Sequence, residues 1–130
     1  MRRRSSLTFT LLIAAQAAHS VEEYAGRLYD VFPPARFASG LVAADRRLGF
    51  LALNVAIVAC GAVCVAAVWR GRWSGVMWFW IAIETINGIG HPAWSILRGG
   101  YTPGVATAPV LLVLAITLAV QRSTRASSRP

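Results

Sequence analysis

The chain has 130 residues, of which 56% are hydrophobic and only 14% are charged. A soluble domain of this length needs more charge to coat its surface, so the composition favours an integral membrane protein. Thirteen basic residues, all of them arginine, and five acidic residues give a net charge of +8. Because the arginines occur in short clusters between apolar segments and not along one polar face, we exclude nucleic acid as a partner.

The first predicted helix covers residues 6–29 and would be about 34 Å long, which is enough to cross a bilayer. A second interpretation stays open, because the basic start, the apolar stretch and Ala15-Gln16-Ala17 are also typical of a cleaved secretory signal peptide. Against cleavage, Gln16, His19 and Glu23 share one helical face, which a discarded segment would not need. We therefore expect this helix to remain as the first span.

Two further apolar spans are predicted in the middle of the chain. Residues 30–47 form a loop whose phenylalanines suit the membrane surface. The second span covers residues 48–69, where small residues recur at every fourth position. This strip favours close helix packing and would suit a homodimer. The third span covers residues 73–97.

The fourth predicted helix begins with Thr102 as its N-cap and Pro103 at its first position, and it ends near Gln121. We expect Pro109 to bend it. The basic tail, residues 123–130, is predicted to be disordered. The rest of the chain, residues 1–122, then forms a single domain, and the predicted fold class is an all-α, four-helix transmembrane bundle.

The arginine distribution predicts the topology of this bundle. Four spans place both termini on one side, where eight arginines occur without any acidic residue: Arg2, Arg3, Arg4, Arg70, Arg72, Arg122, Arg125 and Arg129. The other side and the spans hold the remaining arginines and all five acidic residues. The positive-inside rule then predicts a multi-pass protein of the cell membrane, with the lipid bilayer as its partner and both termini in the cytoplasm.

Three polar residues interrupt the third span. Glu84, Asn87 and His91 are spaced i, i+3 and i+7, so a helix presents all three on one face. A carboxylate in hydrocarbon is costly unless it is paired, protonated or bound to a ligand. We therefore expect the other helices to supply partners for this face.

The first span carries a matching polar set. His19 lies about 20 Å from the inner end of its helix, and Glu22 and Glu23 lie about 24–26 Å from that end. On the third span, Glu84 and His91 lie about 16 and 27 Å from the inner end. The two sets overlap in the outer half of the bilayer, so we expect the first and third spans to build one site there.

Three kinds of site fit these residues. In a metal centre, imidazoles and carboxylates would hold Zn, Fe or Mn and leave a position open for water; the candidate ligands are His19, Glu22, Glu23 and His91. In a metal-free site, a desolvated glutamate would act as general acid or base on a hydrophobic small molecule; the candidate catalytic residues are Glu22, Glu23 and Glu84. In a structural clasp, these side chains would bind only each other.

The turn after the third span adds further candidates. Its glycine, proline and threonine are explained fully by a turn and a helix cap. In a functional interpretation, Tyr101 would donate a hydrogen bond at the mouth of the site. We treat Tyr101, Thr107 and Asn87 as candidate cofactor-binding residues.

Three motifs resemble those of a known family. Residues 19–23 read H-x-x-E-E, residues 87–91 read N-x-x-x-H, and residues 101–107 read Y-x-P-G-x-x-T. In this order they resemble the HXXEE-domain membrane proteins, and the resemblance covers residues 7–120. The function of that family is not established, so the resemblance implies one shared site and no reaction. The residues it joins are His19, Glu22, Glu23, Asn87, His91, Tyr101 and Thr107.

A membrane-embedded enzyme, dependent on a metal or on acid/base chemistry, is therefore the first functional hypothesis. The alternative is a carrier or binding protein for a proton, a metal ion or a lipid. A structural clasp between helices is the third.

Overall fold

Six helices form the part of the chain that the computed structural model describes, residues 2–127, and no strand occurs there. In chain order they are α1 (Arg2–Ala25), α2 (Leu28–Val31), α3 (Pro33–Val42), α4 (Arg46–Trp69), α5 (Val76–Arg98) and α6 (Ala108–Ser127). The fold class is therefore all-α, as predicted.

The core lies where α1 packs between the other long helices. Phe9 and Leu12 of α1 are fully buried and belong to one apolar cluster with Trp80 of α5 and Leu111 of α6. The same helix buries polar side chains toward its C-terminal end, where His19 has no exposed surface. The first half of α1 thus builds the core, and the second half faces the site.

Two short helices, α2 and α3, replace most of the loop predicted for residues 30–47. The prediction was wrong because Pro33 and Pro34 begin a helix as well as end one. Here they occupy the first positions of α3, where a missing N–H breaks no helical hydrogen bond. Two large apolar side chains of this helix, Phe37 and Leu41, are exposed.

The first helix ends at Ala25, before the boundary predicted at residue 29. The next residue, Gly26, packs against Pro103 so closely that a Cβ would lie 2.6 Å from the proline ring. Arg27 then adopts a left-handed backbone, with a φ of 59°. The chain turns at this point and starts α2.

The last helix begins at Ala108 and not at the predicted Thr102 cap. As a result Pro109 falls in the first turn of α6, where its missing N–H breaks no helical hydrogen bond, so the reason for the predicted bend is absent. The helix continues to Ser127, into the segment predicted as a disordered tail. Residues 128–130 lie outside the described chain.

One helix of the described chain, α4 (Arg46–Trp69), is long and apolar enough to cross a membrane. This criterion does not establish the four spans predicted from the sequence. The helices α1 and α5 have 24 and 23 residues, which is similar to α4. They carry the histidines and glutamates of the site described next, and these side chains lower their hydropathy.

Candidate metal centre

Two histidines and one glutamate converge from two helices. α1 supplies His19 and Glu23, whose i, i+4 spacing puts them on one face, and α5 supplies His91. Glu23 Oε1 lies 3.4 Å from His19 Nε2 and 3.1 Å from His91 Nε2. The two imidazole rings meet edge to face with centroids 4.7 Å apart. His19 is fully buried and His91 is nearly so, hence the group lies inside the protein.

A backbone oxygen orients the ring of His91. Its Nδ1 lies 2.8 Å from the carbonyl oxygen of Pro103. A carbonyl oxygen can only accept, so Nδ1 carries the hydrogen and donates it. The other ring nitrogen, Nε2, is then available to present a lone pair toward Glu23.

A hydroxyl orients the ring of His19 in the same way. His19 Nδ1 lies 2.7 Å from Thr107 Oγ1, which in turn lies 2.6 Å from Glu22 Oε2. An ionised carboxylate can only accept, so Thr107 donates to Glu22 and accepts from His19. In the neutral imidazole, His19 Nε2 also presents its lone pair toward Glu23. This nitrogen is buried and has no hydrogen-bond partner within residues 2–127.

The carboxylate of Glu22 is bound by the turn that precedes α6. It accepts hydrogen bonds from the Tyr101 hydroxyl at 2.9 Å, the Ala106 amide at 3.1 Å and the Thr107 amide at 2.9 Å. With the Thr107 hydroxyl, these donors favour the ionised form of the carboxylate. Glu22 thus acts on His19 through Thr107, and the carboxylate that faces both histidines is that of Glu23.

Tyr101 lies at the exposed rim of this contact. Its side chain is 67% exposed, and its hydroxyl donates to Glu22 Oε1. Partial desolvation raises the pKa of the Tyr101 hydroxyl, and the hydrogen bond and charge of Glu22 raise it further. The hydroxyl therefore remains a donor across the physiological range.

Gly104 closes one side of the two imidazole rings. A Cβ at this position would lie 2.5 Å from His91 Nδ1 and 2.9 Å from His19 Cε1. The backbone is also left-handed here, with a φ of 93°. Both the space and the conformation require glycine. The Pro103-Gly104 pair, which a turn would explain from sequence alone, is therefore part of the site.

With both imidazoles neutral, two nitrogen lone pairs and one carboxylate oxygen face each other, an arrangement that favours a cation between them. In a tetrahedral metal centre with bonds of about 2.0–2.1 Å, neighbouring ligand atoms lie about 3.3–3.4 Å apart. The two separations from Glu23 Oε1, 3.4 and 3.1 Å, are close to this spacing. One ligand atom each from His19, Glu23 and His91 lies within 4.8 Å of the others. These residues could hold a metal ion. The hydrogen bonds of both Nδ1 atoms, to Thr107 and to the Pro103 carbonyl, would fix the orientation of the rings.

Glu84 belongs to a separate polar contact between α1 and α5. It is fully buried and accepts a hydrogen bond from Asn87 Nδ2 at 3.2 Å. When the Gln16 amide is oriented by its hydrogen-bond network, its nitrogen donates to Glu84 Oε2 at 2.8 Å and its oxygen accepts from Ser20. The donors to this carboxyl group are therefore neutral amides.

The structure distributes the site residues selected from the sequence over three neighbouring contacts. The group that could hold a metal contains His19, Glu23 and His91. The contact beside it contains Glu22, Tyr101 and Thr107. The third contains Glu84 and Asn87.

Sequence reasoning missed the part played by Gln16, by the Pro103 carbonyl, by Gly104 and by the amide of Ala106. Every residue type except proline has the same backbone amide and carbonyl groups, so residues 19–23 alone could not show which backbone groups they contact. Two signals were available: Gln16 shares a helical face with His19 and Glu23, and the turn residues Pro103-Gly104 precede Thr107.

The fold and the site define an all-α protein with a buried group of two histidines and a glutamate that could hold a metal ion. Residues 10–119 match the family described as "Protein of unknown function with HXXEE motif", and the chain belongs to that family. The match includes the three segments that build the site, residues 19–23, 87–91 and 101–107. No curated protein and no solved structure matches the chain.

Proposed function

We propose that this protein is a membrane-embedded metal protein that acts as an enzyme on a hydrophobic small molecule. The metal, Zn, Fe or Mn, would be held by His19, Glu23 and His91. The observation that carries this proposal is the convergence of both Nε2 atoms on Glu23 Oε1, with each ring held through Nδ1.

Three protein ligands leave at least one coordination position for water or substrate, which is typical of catalytic and not of structural metal centres. A metal there would supply Lewis-acid chemistry or an activated water. The chain's own contribution is to fix the ligands: Thr107 and Pro103 orient the rings, and Glu22 adds a negative charge behind His19.

Exposed apolar side chains on all four long helices support embedding in a membrane. Val21 of α1, Val55 of α4, Ile86 of α5 and Val113 of α6 are each more than half exposed. Apolar surface on this scale is unfavourable in water. These helices, of 20 to 24 residues, rise about 30–36 Å, which suits the hydrocarbon thickness. The polar side chains that lower the hydropathy of α1 and α5 face the buried site.

A groove between α1 and α4 supports a hydrophobic substrate. Its volume is about 460 Å³, and it is lined mainly by apolar side chains such as Val21, Leu51 and Val58. On α1 it is lined by Ala17, Ser20, Val21 and Tyr24, which lie on the helix that carries His19 and Glu23, although these two side chains do not line the groove. A substrate in this groove would lie against the helix that carries His19.

Metal analysis of protein purified in mild detergent tests this proposal. We expect close to one metal ion per chain in the wild type and its loss in His19→Ala, His91→Ala and Glu23→Gln. Ser39→Ala is the matched control, because Ser39 is buried and polar but its side chain hydrogen-bonds only within α3. Wild-type protein that binds no metal after reconstitution with Zn, Fe and Mn would overturn the proposal.

The same convergence supports a second candidate, a metal-free acid/base or proton-carrying site. A proton in place of the metal would make one histidine an imidazolium paired with Glu23. The fully buried Glu84 would then be the general acid or base. Nitrogen NMR of the histidine side chains separates the two, because a protonated Nε2 without bound metal would support this candidate and contradict the first.

A further inference from the structure

A large polar cavity lies at the end of the bundle where α1 ends. Its volume is about 810 Å³, and it is formed by the segment that contains α2 and α3 and by the start of α4. None of the three proposed metal ligands lines it. Its charged lining consists of four arginines and two aspartates: Arg27, Arg36, Arg46, Arg47, Asp30 and Asp45.

Both aspartates of the cavity already have partners. Asp30 pairs with Arg27, whose Nη2 lies 2.8 Å from Oδ2. Asp45 caps α4 and accepts hydrogen bonds from the backbone amides of Arg47 and Leu48. Four guanidinium groups against two carboxylates leave an excess of positive charge in the cavity.

The arginines of the cavity divide into two held side chains and two available ones. Arg47 donates to the Tyr24 hydroxyl at 2.7 Å and lies over its ring at 5.6 Å. Arg27 is held by its ion pair and by its left-handed backbone. Arg36 and Arg46 are exposed and form no ion pair within residues 2–127. These two guanidinium groups can bind an anion directly.

Apolar side chains continue the same cavity wall. Phe37 and Leu41 line the cavity and are 71% and 73% exposed. They belong to α3, a short helix that packs against α4. Cationic and apolar side chains combined on one short helix suit the boundary between lipid headgroups and acyl chains. The exposed phenyl and leucyl groups would contribute nothing to the binding of a small hydrated anion.

We propose that this cavity binds the phosphate headgroup of an anionic phospholipid, with Arg36 and Arg46 on the phosphate and Phe37 and Leu41 against the acyl chains. The inference rests on the membrane embedding proposed above but not on the metal. It assigns α2 and α3 a role as a lipid-binding element, which the HXXEE motif does not describe.

Native mass spectrometry of detergent-solubilised protein tests the assignment, with phosphatidylglycerol and phosphatidylcholine added in equal amounts. We expect the wild type to retain phosphatidylglycerol selectively. Arg36→Gln/Arg46→Gln removes both guanidinium groups of the cavity that are unpaired within residues 2–127 and should lower this retention about 30-fold. The matched control is Arg70→Gln/Arg72→Gln, which removes two exposed arginines at the other end of the bundle.

Equal losses in the two double variants would overturn the assignment, because they would show general charge attraction. Equal retention of both lipids by the wild type, or displacement of the lipid by millimolar glycerol phosphate, would do the same. Sedimentation with membranes is measured on the same samples. Protein that sediments with membranes but shows no lipid selectivity refutes this inference alone, whereas protein absent from membranes refutes the proposed embedding.

Discussion

The hydroxyl of Thr107 lies 2.7 Å from His19 Nδ1, although 88 residues separate the two in the chain. The same oxygen donates to Glu22 at 2.6 Å, so the negative charge of Glu22 reaches the imidazole through one hydroxyl. A hydrogen bond of this kind fixes the ring and makes Nε2 a better metal ligand. The turn before α6 thus acts directly on the proposed metal centre.

We expect Thr107→Val to weaken metal binding about 10–100-fold, because the shape is kept while the link from Glu22 to His19 is lost. Competition with a chelator of known affinity measures this change. Thr117→Val is the control, since the Thr117 hydroxyl is exposed and bonds only to the carbonyl of Val113 in its own helix. Equal affinities in wild type and Thr107→Val would show that the hydroxyl does not support the centre.

Gly104→Ala should expel the imidazole rings from their present positions. The added methyl group would lie 2.5 Å from His91 Nδ1, and the backbone is left-handed. We expect a loss of metal and a destabilisation of about 1–3 kcal/mol, followed by thermal unfolding in detergent. Gly100→Ala, where nothing lies within 4 Å of the new methyl group, should leave both unchanged. Unaltered metal content in Gly104→Ala would contradict the geometry described here.

The contact between Gln16 and Glu84 predicts a non-additive pair of substitutions. Gln16→Leu leaves a buried carboxyl group without one of its donors and should cost about 1–3 kcal/mol. Adding Glu84→Leu removes the unsatisfied group, so the double variant should regain most of the loss. Denaturation of both single variants and the double variant measures the coupling. Additive losses would show that the two side chains do not interact.

Tyr101 should titrate above the ordinary tyrosine pKa of 10.0, since desolvation and Glu22 both raise the pKa of its hydroxyl. A raised pKa means that the hydrogen bond to Glu22 stabilises the folded state below pH 10 and is lost as the pH rises through the folded pKa. The difference in ultraviolet absorbance between wild type and Tyr101→Phe isolates this titration. Glu22→Gln should lower the Tyr101 pKa, and an unchanged midpoint would contradict the contact.

The convergence of His19, Glu23 and His91 was predictable from helical spacing, whereas Glu22, also proposed as a ligand, binds the turn before α6 instead. His19 and Glu23 are four residues apart and must share a face of α1. His91 follows from the cost of a polar side chain in an apolar helix, which requires partners. The contact between side chains of α1 and α5 is what comparing their positions along the two helices predicts. Helical periodicity and the cost of burying polar groups were therefore sufficient to predict which side chains of the long helices meet.

The sequence did not reveal the contacts made by backbone atoms or the start of α3. The segment 102–107 has the residues typical of a helix start. Its amides at Ala106 and Thr107 instead donate to Glu22, and the Pro103 carbonyl accepts from His91. The helix α3 was hidden by Pro33, because a proline can end one helix and begin the next. Local propensity does not distinguish these uses, and tertiary contacts decide between them.

The separation of His19 and Thr107 along the chain also sets the order in which the site is completed during synthesis. His19 and Glu23 emerge first, on a helix that alone offers a metal only two ligands. The third ligand, His91, comes with α5, and the groups that fix both rings come only with the segment that starts α6. In the proposed metal centre, tight binding would therefore await folding of the segment before α6, so a bound metal would report that the three contributing segments have assembled.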